Sequence, residues 1–226
     1  TQPVIVVERI GSFWNVGATT LPGIGIEHAS PAALVIRDGG AAARNIAGSG
    51  PAFLENTGGA PLHFQGINVW GRQVNPESLP VQGNYLENRG GRLWLLGLKT
   101  EQANTAIKTT GGGQTELHGG FLYPVVAVPA TLPAFINEES SHSLSYVTNG
   151  STDYEVQVRE VRGGEIKQLL RTGVLRRGLA SIIPLFVGKG SGGGGGTTPK
   201  GGGGVVAVLA VLAALLILLG TRKKSS

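Results

Sequence analysis

Trp70 is followed within five residues by three polar side chains, those of Arg72, Gln73 and Asn75. A flat aromatic ring beside hydrogen-bonding groups suits a sugar, because the ring packs on the apolar side of the sugar while amide and guanidinium groups reach its hydroxyls. The sequence therefore predicts a carbohydrate-binding site at these four residues. The alternative is that Trp70 packs against the base of a loop and binds no ligand.

Paired carboxylates are the second candidate for chemistry, since glycoside hydrolysis needs one acid and one base or nucleophile. The chain has only two aspartates, Asp38 and Asp153, far apart in the sequence. Glu55 and Glu87 occupy equivalent positions of a repeated segment, so they are expected to stack on one face. Basic residues share that offset, and an exposed ladder of mixed charge is the favoured interpretation. Enzyme activity of this chain alone stays open, and the sequence favours its absence.

A calcium site is the only cofactor that the residues suggest. Glu138 and Glu139, with His142 nearby, could contribute ligands. Ca²⁺ takes about six to eight oxygen ligands, so a solvated carboxylate pair is the competing interpretation. His63 and His118 lie in successive repeat units without a carboxylate at a matching offset, which is typical of surface or core histidines.

These residues lie in or near a segment that recurs along the chain. Residues 53–59 (FLENTGG) are echoed by residues 85–91 (YLENRGG) and 106–112 (AIKTTGG). Five apolar anchor residues mark the repeat: Ile36, Leu54, Leu86, Ile107 and Ile136. Of these, Leu54 and Leu86 are expected to point inward and to be buried. The five anchors are 18, 32, 21 and 29 residues apart, which indicates stacked units of about 20 residues. The long interval predicts that residues 70–83 interrupt the repeat as a surface loop or an irregular extra coil.

The repeat favours strands over helices, because adjacent glycines would each cost a helix about 1 kcal/mol. In a coil of strands the same glycines allow the chain to turn. Asp38, Asn56, Asn88 and Thr109 fall at equivalent positions, so they predict a ladder of polar side chains at the corners. The alternative fold is an antiparallel β-sandwich with glycine-rich turns.

The coil pattern, glycine pairs and polar corners resemble the right-handed, single-stranded parallel β-helix of the pectate-lyase-like superfamily. The resemblance covers about residues 30–150 and implies a solenoid scaffold rather than a catalyst. Members of that superfamily are lyases or glycoside hydrolases that act on acidic polysaccharides. The lyases use Ca²⁺ with carboxylates and an arginine base, and the hydrolases use clustered aspartates. Because Asp38 and Asp153 are the only two aspartates and lie far apart in the sequence, this chain cannot form a triple-aspartate site.

The sequence predicts five segments. Residues 1–150 are the parallel β-helix, and residues 151–188 form a β-hairpin module that caps its C-terminal end, since residues 154–161 alternate at period two. Residues 189–204 are a glycine-rich linker. Residues 205–220 form a single transmembrane helix, and residues 221–226 are a basic cytoplasmic tail.

The tail has two further interpretations. A buried core helix is one, although a polyglycine tether on one side and lysines on the other count against it. The order glycine, apolar, basic also resembles bacterial C-terminal sorting signals, so the segment is either retained or cleaved after export. Either way the β-domain is expected outside the cytoplasm, at the cell surface or in the periplasm.

Composition narrows the function classes. The chain has 226 residues with 38 glycines, no cysteine and a net charge of +5, part of it in the C-terminal run Arg222, Lys223 and Lys224. Without a basic stripe, nucleic acid is not an expected partner. The favoured function is binding of a polysaccharide or cell-envelope glycan, or a structural role at the envelope. The alternatives are the C-terminal part of a lyase or hydrolase whose catalytic coils lie upstream, and an adhesin or spacer.

Overall fold

The computed structural model describes residues 4–8, 25–59, 61–77, 83–150 and 153–189. Within these ranges the protein is all-β, with one 3₁₀ turn at Arg171–Gly173. The strands are β1 (Val4–Glu8), β2 (Gly25–His28), β3 (Ala33–Gly39), β4 (Ala42–Asn45), β5 (Ala52–Thr57), β6 (Leu62–Gln65), β7 (Asn68–Val74), β8 (Asn84–Arg89), β9 (Arg92–Thr100), β10 (Thr105–Thr110), β11 (Gln114–Leu122), β12 (Pro133–Glu138), β13 (Ser141–Asn149), β14 (Val156–Arg162), β15 (Glu165–Leu170), β16 (Leu175–Arg177) and β17 (Ala180–Gly188).

The strands form two mostly parallel sheets. Sheet 1 has the order β1-β3-β5-β7-β9-β11-β13-β17-β16, and sheet 2 has the order β2-β4-β6-β8-β10-β12-β14-β15. From β1 to β14 the chain passes alternately between the sheets, and each strand from β1 to β12 pairs in parallel with the strand two places further on. This path is compatible with a β-helix. It excludes the antiparallel β-sandwich considered from the sequence.

The prediction that residues 70–83 interrupt the repeat is wrong for residues 70–74, which belong to β7. Trp70 lies inside β7, which pairs in parallel with β5 on one side and β9 on the other. The 32-residue interval between Leu54 and Leu86 arises because Leu54 belongs to sheet 1 and Leu86 to sheet 2. The interval contains the regular strands β6 and β7. Residues 78–82 lie outside the described ranges.

The core lies between the sheets and is filled by the inward-facing residues of their strands. Leu54 and Leu86 are both buried, as the anchor positions predict. Leu86 is in register with Leu62 on one side and Ile107 on the other, so the three leucine and isoleucine side chains form a continuous buried row. At the last anchor the inward residue is Phe135 rather than Ile136, because Phe135 pairs with Ile107.

The four predicted corner residues lie in two columns instead of one. Asp38 and Asn56 lie on sheet 1, where Asn56 Nδ2 donates a hydrogen bond to Asp38 Oδ1 over 2.9 Å. Asn88 and Thr109 are register neighbours on sheet 2 and are buried. Because the repeat motif occurs in both sheets, the sequence pattern predicted a single ladder where the structure has two columns.

A column of left-handed residues crosses sheet 1 at the position of Asp38 and Asn56. Their φ values are 52° and 49°, and Gln73 at the same place in β7 has φ 53°. In β9 and β11 the column continues with Gly97 and Gly119 at φ 84° and 79°. Aspartate, asparagine and glycine tolerate this conformation, whereas glutamine is strained in it.

Replacing Gln73 by asparagine should therefore stabilise the protein by about 0.5 kcal/mol, because asparagine adopts the left-handed conformation at lower cost. The measurement is the free energy of unfolding from denaturant titration. Gln114→Asn is the matched control, since Gln114 is exposed on β11 and has no positive φ. If Gln73→Asn lowers the free energy of unfolding by as much as Gln114→Asn does, the strain assigned to Gln73 is contradicted.

The predicted hairpin near the C-terminus is confirmed, with β14 and β15 antiparallel. It extends the sheets rather than covering their end. In sheet 2, β14 adds in parallel to β12, and in sheet 1, β17 adds antiparallel to β13 and is followed by β16. The strands of the predicted β-helix and of the hairpin module belong to one compact unit.

No helix that could cross a membrane is found among the described residues. The predicted membrane helix (205–220), the basic tail (221–226) and all but the first residue of the linker (189–204) lie outside those residues.

Candidate functional site

The outward faces of the two sheets differ in chemistry. Sheet 2 presents a register row that is mostly charged or polar: Glu27, Arg44, His63, Glu87, Lys108, Ile136, Arg159 and Gln168. Sheet 1 carries most of the exposed large apolar side chains of the described strands: Ile5, Val6, Phe53, Trp70, Leu96, Phe121, Leu175, Leu185 and Val187. Contiguous exposed apolar surface marks interaction sites. Sheet 1 is therefore the candidate binding face.

Three aromatic side chains form a strip across the middle of this face. Phe53, Trp70 and Trp94 are direct register partners on β5, β7 and β9. Their ring centroids are 5.0 and 5.2 Å apart, and the ring planes are within 11° and 10° of parallel. We call these three residues the aromatic strip. The spacing follows from the distance between neighbouring strands, which is about 4.8 Å.

The stack changes how Trp70 can take part in binding. Both faces of its indole are covered, one by Phe53 and the other by Trp94. Its exposed fraction of 37% is therefore mostly ring edge. A ligand would lie along the edges of the three rings, instead of stacking on Trp70 alone as the sequence suggested.

A column of charged residues runs beside the aromatic strip. Arg37, Glu55 and Arg72 are register neighbours, and Arg72 forms an ion pair with Glu55. Further along, the column continues with Leu96 and His118. The strip and this column border a shallow depression of about 310 Å³. Apolar edges next to exposed polar groups can contact both the carbon atoms and the hydroxyls of a sugar.

A second depression, of about 520 Å³, lies on the other side of the left-handed column. Gln73 and Asn75 line it, together with Gly97, Gly119 and Phe121. The absence of side chains at the two glycines leaves this part of the face open. The four predicted sugar-binding residues thus divide between two neighbouring depressions, Trp70 and Arg72 in the first and Gln73 and Asn75 in the second.

Lys99 also lines the second depression and is held by two carboxylates. Its Nζ lies 2.6 Å from Glu77 Oε1 and also forms an ion pair with Glu101. Partial burial would lower the pKa of Lys99, but the two carboxylates outweigh burial and raise it. Lys99 is therefore positively charged. Because it has two carboxylate partners, the three side chains together carry a net negative charge.

The predicted glutamate pair does not form. Glu55 projects from sheet 1 and Glu87 from sheet 2, so they lie on opposite sides of the molecule. Glu55 is paired with Arg72, and Glu87 lies 3.8 Å from His63. The reason is the same mixing of the two sheets that affected the corner ladder. This arrangement provides no acid and base on one face from these two residues.

The predicted calcium ligands point in different directions. Glu138 Oε1 lies 3.2 Å from the Nζ of Lys108, and Glu139 accepts a hydrogen bond from the backbone N–H of Gly163. His142 is buried in the interior on β13. Within the described residues no group of three or more acidic, histidine or cysteine side chains is placed to hold a metal ion.

Sequence reasoning missed the aromatic strip as a unit. Phe53 begins the first repeated segment and Trp94 follows the second, but nothing in their spacing of 17 and 24 residues from Trp70 identified them as neighbours of Trp70. Only the strand register shows that both intervals lead from one strand of sheet 1 to the next strand of the same sheet. Comparison with protein-family models, curated proteins and solved structures finds no match for this chain.

Proposed function

We propose that this chain is a membrane-tethered, cell-surface domain that binds polysaccharide along the aromatic strip of sheet 1. Its scaffold is a right-handed, single-stranded parallel β-helix, for which the alternating sheet path and the general preference for right-handed parallel crossovers are the support. The tether is the glycine-rich segment that leads to the apolar residues 205–219. The domain lies at the cell surface or in the periplasm.

The observation that carries this proposal is the stacked strip of Phe53, Trp70 and Trp94 beside the Glu55–Arg72 ion pair. An extended ligand suits this geometry, since the strip crosses β5, β7 and β9 and the second depression crosses β7, β9 and β11. A polysaccharide offers repeated apolar patches and hydroxyls along one chain. Binding does not require a catalytic carboxylate pair or a metal ion.

Replacing Trp70 by alanine should weaken glycan binding about tenfold, because the central ring edge is lost and the rings of Phe53 and Trp94 lose their common neighbour. Binding would be measured by calorimetry on the full chain in detergent, with uronic-acid and neutral glycans. Ile46→Ala is the control, since Ile46 is an exposed apolar residue that lines neither depression. Unchanged binding in Trp70→Ala would contradict the site.

The same glycans should be assayed for unsaturated products and new reducing ends. We expect no turnover, because Glu55 and Glu87 lie on opposite sheets. Turnover that Glu55→Gln abolishes would favour the rival function, a polysaccharide lyase or hydrolase. Glu87→Gln is the control on the other sheet.

A further inference from the structure

The end of the sheets formed by the last strands exposes both apolar and cationic side chains. β15 is the edge of sheet 2 and β16 is the edge of sheet 1, and both lie at the same end of the molecule. Four large apolar side chains are exposed there: Ile166 (61%), Leu170 (45%), Leu175 (63%) and Leu179 (59%). We call these four residues, with Arg176 and Arg177, the terminal edge. Exposed leucines on an unpaired edge need a partner or invite aggregation.

The charge of this region indicates the kind of partner. Residues 165–189 contain five basic side chains and one acidic one, Glu165. Arg176 and Arg177 are exposed on β16 and form no ion pair within the described part of the chain. Leucines beside unpaired arginines match a bilayer surface with anionic headgroups, where the apolar chains enter the interface and the cations meet phosphate or carboxylate groups.

The course of the chain leads to the same partner. β17 pairs with β16, and Lys189 directly follows the last residue of β17. The sequence continues with the glycine-rich residues 190–204, the apolar residues 205–219 and a basic run. Glycine-rich chains of about fifteen residues have in general an end-to-end distance of roughly 20 Å. A tail inserted in a bilayer would therefore hold the terminal edge close to that bilayer.

We propose that the terminal edge docks on the surface of an anionic lipid bilayer. The stack of strands then points away from the membrane, and the aromatic strip on the side of the stack stays accessible to glycans. This inference rests on the membrane tether of the proposed function. Arginines on an edge also discourage strand addition, but that role alone would not require the exposed leucines.

The test uses the full chain, which contains no cysteine, so a single introduced cysteine can carry a fluorescent label. Leu179→Cys places an environment-sensitive nitrobenzoxadiazole probe in the terminal edge, and Arg44→Cys places it on the charged face of sheet 2, where the arginine side chain is 71% exposed. The protein is reconstituted in phosphatidylcholine vesicles with or without phosphatidylserine, and spin-labelled lipid is added as quencher. We expect at least twofold stronger quenching at residue 179 than at residue 44, and most with phosphatidylserine.

Charge reversal provides the second variant. Arg176→Glu with Arg177→Glu should reduce quenching at residue 179 at least twofold on anionic vesicles, and Arg44→Glu is the matched control. Raised salt should act in the same direction as charge reversal, since it screens surface charges. Equal quenching at residues 179 and 44 would overturn the docking.

Flotation of the vesicles separates the two proposals. Protein that floats with vesicles but shows no quenching at residue 179 retains the tether and overturns the docking alone. Protein that does not float overturns the tether and the docking together, while the glycan assay still tests the aromatic strip. Cross-linking of residue 179 between two copies in detergent, with no lipid quenching, would show that a second copy covers the edge and would also overturn the docking.

Discussion

Replacing Leu86 by alanine should lower the free energy of unfolding by about 2–5 kcal/mol. Leu86 is 1% exposed and lies in the buried row of sheet 2 between Leu62 and Ile107. The substitution removes the methine carbon Cγ and the two methyl groups. Their hydrophobic burial is lost and a cavity remains, because neighbours fixed in two parallel ladders cannot easily move into the space. Leu54 has the same role in sheet 1, so Leu54→Ala should give a similar loss.

The measurement is chemical denaturation followed by circular dichroism, with a two-state fit. Leu96→Ala is the matched control, since Leu96 is 61% exposed on the outward face of β9. Its loss should stay below about 1 kcal/mol. Losses of similar size at residues 86 and 96 would contradict the assigned inward and outward faces.

Acidification should destabilise the protein through His142. This side chain is buried on β13, and its Nε2 lies 2.6 Å from Thr109 Oγ1, which in turn lies 2.7 Å from Thr115 Oγ1. Burial, together with the positive charge of Arg162, lowers the pKa of His142 from 6.5 to about 3. The imidazole is therefore neutral in the folded protein at pH values at which it is protonated in the unfolded chain.

Proton linkage determines whether the free energy of unfolding rises or falls with pH. Above pH 6.5 neither state holds the proton, so stability is independent of this group. Between pH 6.5 and about 3 the unfolded state binds the proton and the folded state does not, so the free energy of unfolding falls by roughly 1.4 kcal/mol per pH unit. At pH 4 the loss from His142 should reach roughly 3 kcal/mol.

Denaturant titrations between pH 7 and 4 measure this slope. In His142→Gln, the change in the free energy of unfolding per pH unit should be smaller than in the wild type by the contribution of the imidazole. This comparison of slopes does not depend on the stability of the variant at pH 7. The same substitution at His118, which is 65% exposed, is the matched control because it removes a surface histidine. Identical slopes in the wild type and in His142→Gln would mean that His142 is not buried in the neutral form.

Several features follow from the sequence alone. The repeated apolar–polar–glycine segment predicted short strands, and the structure is all-β. The anchors Leu54 and Leu86 were predicted to point inward, and both are buried. The alternation in residues 154–161 predicted the hairpin of β14 and β15. These features are local, because strand propensity, side-chain alternation and glycine turns act over a few residues.

The tertiary structure alone decided which residues meet. A strand that ends in polar residues and glycines looks the same in either sheet, so the sequence could not tell that Glu55 and Glu87 belong to opposite sheets. The aromatic strip depends on the register of β5, β7 and β9, which in turn depends on how many residues each turn between the sheets contains. His142 has an ordinary sequence environment and is made unusual by burial among partners from distant strands. Register and burial are properties of the whole stack, because each strand is positioned by the pairing of its neighbours rather than by its own residues.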